Sequence, residues 1–218
     1  VPVGGVRYRV AMSLDGYIAG PNGEADWIVM DPDIGSGFAD YWKQFDTLLI
    51  GRRTFAAMTR GGGGGGSMPG YRVFVISRTL NPRDYPKVTV VSDPQATVAT
   101  LKQSEGKDIW LFGGGELFRS LLDLGLVDTI EVGVIPVLLG GGIPLLLPPA
   151  GRAALTLTSH RAFQKTGTIA LAYDIRKPGS SEGKKPGTRE ASKPGSQGAR
   201  KARRQAVPKL PSSQASGR

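Results

Sequence analysis

The chain has 218 residues, enough for one domain with or without an appendage, and no cysteine, which excludes a disulfide scaffold, thiol catalysis and thiolate metal sites. Its net charge of +10 is unevenly spread: residues 177–218 carry 11 Lys or Arg against 2 Asp or Glu, a net of +9, so residues 1–176 are left at +1. The basic character belongs to the C-terminal stretch, so it predicts nothing about the surface of the folded part.

From the N-terminus, residues 6–12 (VRYRVAM) alternate and then turn apolar, the pattern of a first strand. Residues 13–19 leave it as a loop, and Gly20-Pro21-Asn22-Gly23 is a strong turn. Asp15 in that loop either shapes an Asx turn that holds Gly16 in a left-handed conformation or offers its carboxylate to a ligand. Trp27 and Ile28 either pack or line a pocket. Residues 37–45 set Phe38, Tyr41, Trp42 and Phe45 at helical spacing; such an aromatic stripe is core, or at an exposed edge such as Tyr41 it walls a ligand.

Residues 47–50 form a second buried strand that runs into Gly51-Arg52-Arg53-Thr54 at the mouth of the next helix. A glycine permits close approach there, and two guanidiniums and a hydroxyl suit a phosphate; the alternative is that both guanidiniums are solvated. The six glycines from Gly61 to Gly66 read as a flexible loop rather than a nucleotide cradle. A third strand over 72–77 ends at Ser77-Arg78, a fourth covers 88–91, and a helix over 94–103 turns Val98 and Leu101 inward.

The next unit organises the rest. Residues 109–112 (IWLF) are a strand covered on both faces, followed at once by Gly113, Gly114 and Gly115. Glu116 opens a helix with Leu117, Phe118, Leu121, Leu122 and Leu124 as its apolar stripe, and Gly125 is placed to cap it. Backbone without side chains can approach a phosphate, and the N–H groups of a first helical turn point at it. The spacing is neither G-x-G-x-x-G nor G-x-x-x-x-G-K-[ST], so a tight turn without a ligand stays open. Residues 126–136 form the next strand, and 153–163 with 168–175 a closing antiparallel pair turned near Lys165-Thr166-Gly167. His160, the single histidine, falls mid-strand as a surface or packing residue, and no ligand cluster predicts a bound metal.

Strand–helix alternation predicts a mostly parallel α/β fold, and such sheets bind ligands at the carboxyl ends of their strands. Asp15, Gly51 to Thr54, Ser77-Arg78 and Gly113 to Glu116 all fall at such ends, which suits an extended ligand with several phosphates, such as a dinucleotide carrying a 2′-phosphate. Glu116 is compatible with that ligand if it caps its helix and points away. No signal peptide is visible, and the longest apolar stretch, over 132–147, is broken by glycines and prolines, so a cytoplasmic, non-membrane protein is expected. Residues 177–218, rich in Gly, Ser, Pro, Lys and Arg, read as a disordered tail appended to a domain over 1–176. That tail is either a solubilising extension or a weak electrostatic contact for nucleic acid led by Arg200-Lys201-Ala202-Arg203-Arg204.

The segments at 12–19, 49–55, 75–78 and above all 113–142 together resemble the dihydrofolate-reductase-like family typified by the reductase domain of riboflavin biosynthesis, in its stand-alone bacterial form. The resemblance covers roughly residues 7–175. It implies an NADPH-dependent reductase with an eight-stranded, mostly parallel sheet flanked by helices. By motif, Gly113, Gly114, Gly115, Glu116 and Leu117 would meet the cofactor pyrophosphate and nearby ribose, and Gly51, Arg52, Arg53 and Thr54 the phosphates on the adenosine side. Ser77 and Arg78 would take the 2′-phosphate, Ala11 would lie against the nicotinamide, and Asp15 would edge the substrate cavity with Trp27 and Tyr41. The resemblance does not extend to the zinc deaminase half of the bifunctional relative, so that step is not expected, and the glycine run at Gly61 to Gly66 departs from an ordinary loop. The implied reaction reduces a C=N or C=O group of a small pterin- or pyrimidine-like heterocycle, with the proton supplied by Asp15 if its pKa is raised, or by an ordered water. The resemblance also implies a homodimer through the C-terminal strands. The competing classes are a nucleotide-binding protein of the same fold without efficient catalysis and a nucleic-acid-associated protein acting through its tail.

Overall fold

The computed structural model describes residues 4–29, 41–60 and 66–176. The tail over 177–218, most of the glycine run and the first part of the expected helix over 37–45 lie outside these residues. The strands are β1 (Val6–Ser13), β2 (Tyr17–Ala19), β3 (Phe45–Gly51), β4 (Arg72–Ile76), β5 (Thr89–Val91), β6 (Asp108–Gly113), β7 (Thr129–Ile135), β8 (Ile143–Pro144), β9 (Leu155–Phe163) and β10 (Thr168–Ile175). Among the described residues, the α-helices with both ends in view are α1 (Arg52–Arg60), α2 (Pro94–Gln103) and α3 (Gly115–Asp123). Eight strands form one sheet in the order β5-β4-β3-β6-β1-β7-β10-β9, and β2 pairs with β8 in a separate two-stranded ribbon. The strands from β5 to β7 run parallel, and β10 is antiparallel to both its neighbours. This is the expected dihydrofolate-reductase-like sheet with its antiparallel C-terminal pair.

The chain's own alternation decides what each face covers. Val6 and Tyr8 of β1 are fully buried against α2 and α3, where Val98, Leu101, Leu117, Phe118 and Leu121 complete one core. The Tyr8 ring stacks on Phe118 with centroids 4.1 Å apart. A second core on the opposite face of β3, β4 and β6 joins Leu48, Ile50, Val75 and Trp110 to Phe55 of α1. Arg7 lies between Val6 and Tyr8 and so points to this other face. Its Nε donates to Glu131 of β7 at 2.7 Å, its Nη2 donates to the same carboxylate, and its Nη1 donates to Asp108 of β6 at 2.9 Å and to Gln44 at 2.7 Å. One guanidinium thus fastens the three central strands.

Helix ends follow local chemistry. Asp93 caps α2, its carboxylate accepting from Ala96 N at 3.0 Å, with Pro94 at the first helical position. Gly125, at φ +66°, ends α3 with its N–H on Leu122 O and that of Leu126 on Leu121 O, both at 2.9 Å, which is a Schellman turn.

Three sequence expectations need correction. Phe45 belongs to β3, not to the preceding helix, because its ring is needed in the second core beside Trp110. Helix α3 opens one residue early, at Gly115. Residues 17–19, read as loop, are a strand, since their partner β8 lies more than a hundred residues away and no local pattern announces it.

Candidate functional site

Five neighbouring strand ends lie side by side on the carboxyl edge, in the order β4, β3, β6, β1, β7. They carry, in turn, Ser77-Arg78, Gly51 to Thr54, Gly113 to Leu117, Ala11 to Asp15 and the loop over 136–142. Four interstrand spacings of about 4.8 Å give an edge of about 19 Å, long enough for an extended ligand. Every sequence-predicted cofactor residue therefore falls on one edge; Trp27 and Tyr41 do not sit on it.

The turns after β3 and β6 meet back to back. A Cβ built on Gly51 would lie 3.4 Å from Leu117 Cβ and 3.5 Å from Gly113 O, and one built on Gly114 would lie 3.0 Å from Thr54 Oγ1. The Thr54 hydroxyl thus sits beside the glycine turn, in a gap that a side chain on Gly114 would fill. The left-handed residue of the turn is Gly113, at φ +141°; Gly114, at φ −94° and ψ −174°, is extended and is the N-cap of α3. The peptide joining the two is cis. Phe118 N bonds Gly114 O at 3.0 Å, so the N–H groups of Gly115, Glu116 and Leu117 precede the first turn's carbonyl acceptors and face outward along the axis. Leu117 and Gly115 are buried, and a Cβ on Gly115 would lie 3.3 Å from Leu147 Cδ1 and 3.4 Å from Pro144 O. Glu116 makes no cap hydrogen bond. Its carboxylate pairs with Arg53 of α1 at 3.0 Å.

At the β4 end, Ser77 is buried and its Oγ accepts from Thr79 N at 3.2 Å and from Leu80 N at 3.1 Å. It shapes the turn that presents the exposed Arg78. The turns after β3 and β4 bring three arginines, Arg52, Arg53 and Arg78, of which Arg53 pairs with the carboxylate of Glu116.

At the β1 end, Asp15 reaches across to the loop after β7. It accepts from Ser13 Oγ at 2.6 Å, from Gly140 N at 2.7 Å and from Leu139 N at 3.1 Å. The Ser13 hydroxyl first, and then the Gly140 and Leu139 N–H groups, hold its carboxyl below the usual carboxylate range. Gly16 does take the left-handed conformation, at φ +93°. Leu14 N on Val137 O at 2.8 Å and Leu145 N on Gly16 O at 2.9 Å extend the clasp into the β2–β8 ribbon. Asp15 is therefore an ionised acceptor that joins two loops. Sequence reasoning missed its partners because they are backbone groups 124 and 125 residues away.

Ala11 sits two residues before the end of β1, in register with Gly133 of β7, which is in turn in register with Ala170 of β10. A Cβ on Gly133 would meet nothing within 4 Å, so this row of small residues is open on its face. Arg9, unremarked in the sequence, points to the same face by alternation from Arg7, and its guanidinium carbon lies 3.9 Å from the Tyr41 ring centroid. Tyr41 thus stacks on Arg9, and burial raises its phenol pKa well above the ordinary value. The Trp27 indole N–H is turned back onto Glu24 O at 3.1 Å. No group of His, Cys, Asp and Glu able to hold a metal ion occurs among the described residues, and no described helix is long and apolar enough to cross a membrane.

A glycine turn and a helix N-terminus on the carboxyl edge of a sheet of this order define a dihydrofolate-reductase-like, reductase-type fold. The chain belongs to the RibD C-terminal domain family, which it matches over residues 5–169. It is 35% identical over 180 residues to the uncharacterized protein YyaP of Bacillus subtilis (strain 168), covering 75% of this chain and 91% of that one. The uncharacterized protein YwjB of the same organism is 31% identical over 161 residues, covering 71% and 89%. Among solved structures, a putative riboflavin biosynthesis protein from Shewanella sp. PV-4 superposes with a TM-score of 0.67 at 25% identity, over 81% of this chain and 100% of that one. Dihydrofolate reductase from Enterococcus faecalis, complexed with NADP(H) and RAB-propyl, superposes with a TM-score of 0.58 at 18% identity, over 79% and 97%, and shows likeness of fold. A pyrimidine reductase-like protein from Corynebacterium diphtheriae does so at 0.59 and 15%, over 81% and 92%.

Proposed function

We propose that this chain is an NADPH-dependent reductase acting on a C=N or C=O group of a small pterin- or pyrimidine-like heterocycle. The observation that carries the reading is the pair of turns after β3 and β6, set back to back with the Thr54 hydroxyl beside Gly114 and two arginines at the mouth of α1. This arrangement fits a dinucleotide: glycines admit the backbone of the ligand, first-turn N–H groups of α3 donate to its pyrophosphate, and Arg52, Arg53 and Arg78 offset its charge.

When bound, NADPH supplies the hydride; the protein supplies position and electrostatics. Ala11 and Gly133 leave a flat, open floor for a ring, and Arg7 fixes the strands that form it. Asp15 holds the two loops that border this floor. As an ionised acceptor it is a positioning residue, and the proton of the reduction is delivered by water at the open edge. A second reading, a nucleotide-binding protein of the same fold without turnover, draws on the same engagement of Asp15, which leaves no side-chain acid assigned. The tail is proposed to make at most weak contacts with polyanions, and the chain to act in the cytoplasm.

The test is fluorescence titration with NADPH and NADH, followed by NADPH oxidation with a panel of pterins and pyrimidines. Tighter binding of NADPH with steady oxidation by one class of heterocycle is expected. Binding without oxidation across the panel favours the second reading, and binding of neither nucleotide removes both.

A further inference from the structure

The Arg53–Glu116 pair joins the first turns of two different helices at the proposed phosphate site, with Nη1 and Oε1 3.0 Å apart. Its side chains are 77% and 58% exposed, and an ion pair that open contributes little to holding a fold together. Glu116 makes no cap hydrogen bond either; its carboxylate is turned to Arg53. What the carboxylate does is place a negative charge in the first turn of α3, where the helix dipole favours an anion, and against a guanidinium of α1. Those are the two features that a phosphate of the proposed dinucleotide would use.

Resting on the reductase reading of this site, we propose that Glu116 is a placeholder anion. In the free protein it neutralises Arg53 and the α3 terminus, and it gives both up when a ligand phosphate arrives. Glu116 then opposes binding instead of assisting it, since the incoming phosphate must displace it from Arg53 and then tolerate a like charge nearby. The residue lowers affinity for every polyanion at this corner and keeps two adjacent helix mouths and their arginines from standing uncompensated between binding events.

The test is affinity, measured by calorimetry on the full chain, for two probes: NADPH and inorganic pyrophosphate. Glu116→Gln keeps the shape of the side chain on an exposed helix position, and an unchanged melting midpoint verifies folding. At low ionic strength it should tighten both probes by about three- to tenfold, and the gain should shrink as salt approaches 0.5 M. Arg53→Ala should weaken both probes, and in that background Glu116→Gln should recover less than half of its gain on a logarithmic scale. Weaker NADPH binding by Glu116→Gln would make the carboxylate a ligand of the cofactor and overturn the proposal. An unchanged affinity, or an equal gain with and without Arg53, overturns it too. If pyrophosphate responds as described while neither nicotinamide nucleotide binds, the placeholder role stands and the reductase reading falls. If wild type and variant bind neither probe, both fall.

Discussion

Two adjacent glycines in the turn after β6 are constrained for different reasons, and alanine separates them. Gly113 has room: a Cβ there would come no nearer than 3.8 Å to Thr54 Oγ1. Its φ of +141°, however, is a conformation that L residues rarely adopt. Gly113→Ala should therefore cost about 1–3 kcal/mol from backbone conformation alone. Gly114, at φ −94°, has a backbone that any residue accepts, but its Cβ would lie 3.0 Å from the Thr54 hydroxyl. Turning Thr54 aside costs about 0.5–1.5 kcal/mol, and the lower chain entropy of unfolded alanine returns about 0.4–1 kcal/mol, so Gly114→Ala should be close to neutral. Urea denaturation followed by tryptophan fluorescence measures both. Binding should reverse the order of harm per unit of stability. The near-neutral Gly114→Ala should still lose NADPH affinity, because its methyl occupies the gap beside Thr54 proposed for a phosphate oxygen. A Gly114→Ala loss of stability equal to that of Gly113→Ala would refute the conformational reasoning, and full NADPH affinity in Gly114→Ala would refute the placement of the phosphate.

Arg78→Ala and Arg52→Ala should each weaken NADPH more than NADH, by about 1–3 kcal/mol if a charge-assisted bond to the 2′-phosphate is lost; equal losses for the two nucleotides would take the residue away from that phosphate. Asp15→Asn puts an amide where two N–H groups donate, so the Leu139 and Gly140 amides should exchange faster with solvent, and turnover of an identified substrate should fall as that protection is lost; unchanged protection with lost turnover would restore Asp15 as an acid. Because its folded pKa is depressed, the clasp should be intact above the ordinary carboxylate pKa of about 3.9 and come apart as pH falls through the lower folded value, which amide exchange across that range follows. Leu155, Leu157 and Ile169 are exposed on the closing pair of strands, so we propose a two-fold dimer through this part of the sheet; sedimentation at micromolar protein should give twice the chain mass, and Leu157→Arg should give the monomer.

Much of the fold was legible because it rests on local signals. The helix over 94–103 and the final strand over 168–175 were readable to the residue, since Asp93-Pro94 and the turn at Gly167 are punctuation that does not depend on tertiary contacts. The placement of the candidate residues at strand ends was legible, because carboxyl-edge placement follows from parallel topology alone. What stayed hidden was long-range. The residue with positive φ in the glycine turn could not be chosen among three glycines in a row. The pairing of Glu116 with Arg53 joins helices that are separate in sequence. Arg9 escaped attention because a charged residue in a strand reads as solvent-facing until the open face and the Tyr41 ring beneath it are known.

The position of β1 between β6 and β7 has a consequence for how the protein is made. Val6 pairs with Ile109 and Ser13 with Ile135, so the first strand to be synthesised finds its two partners only after most of the domain exists. Contacts of such high sequence separation are slow to form, and a nascent chain must carry an unpaired strand in the meantime. Because β1 also ends at the loop clasped by Asp15, the edge proposed to receive the nicotinamide is completed at the close of folding. Chains interrupted before Ile135 would hold the β3–β4–β5 half and its arginines, but no floor on which a ring could rest.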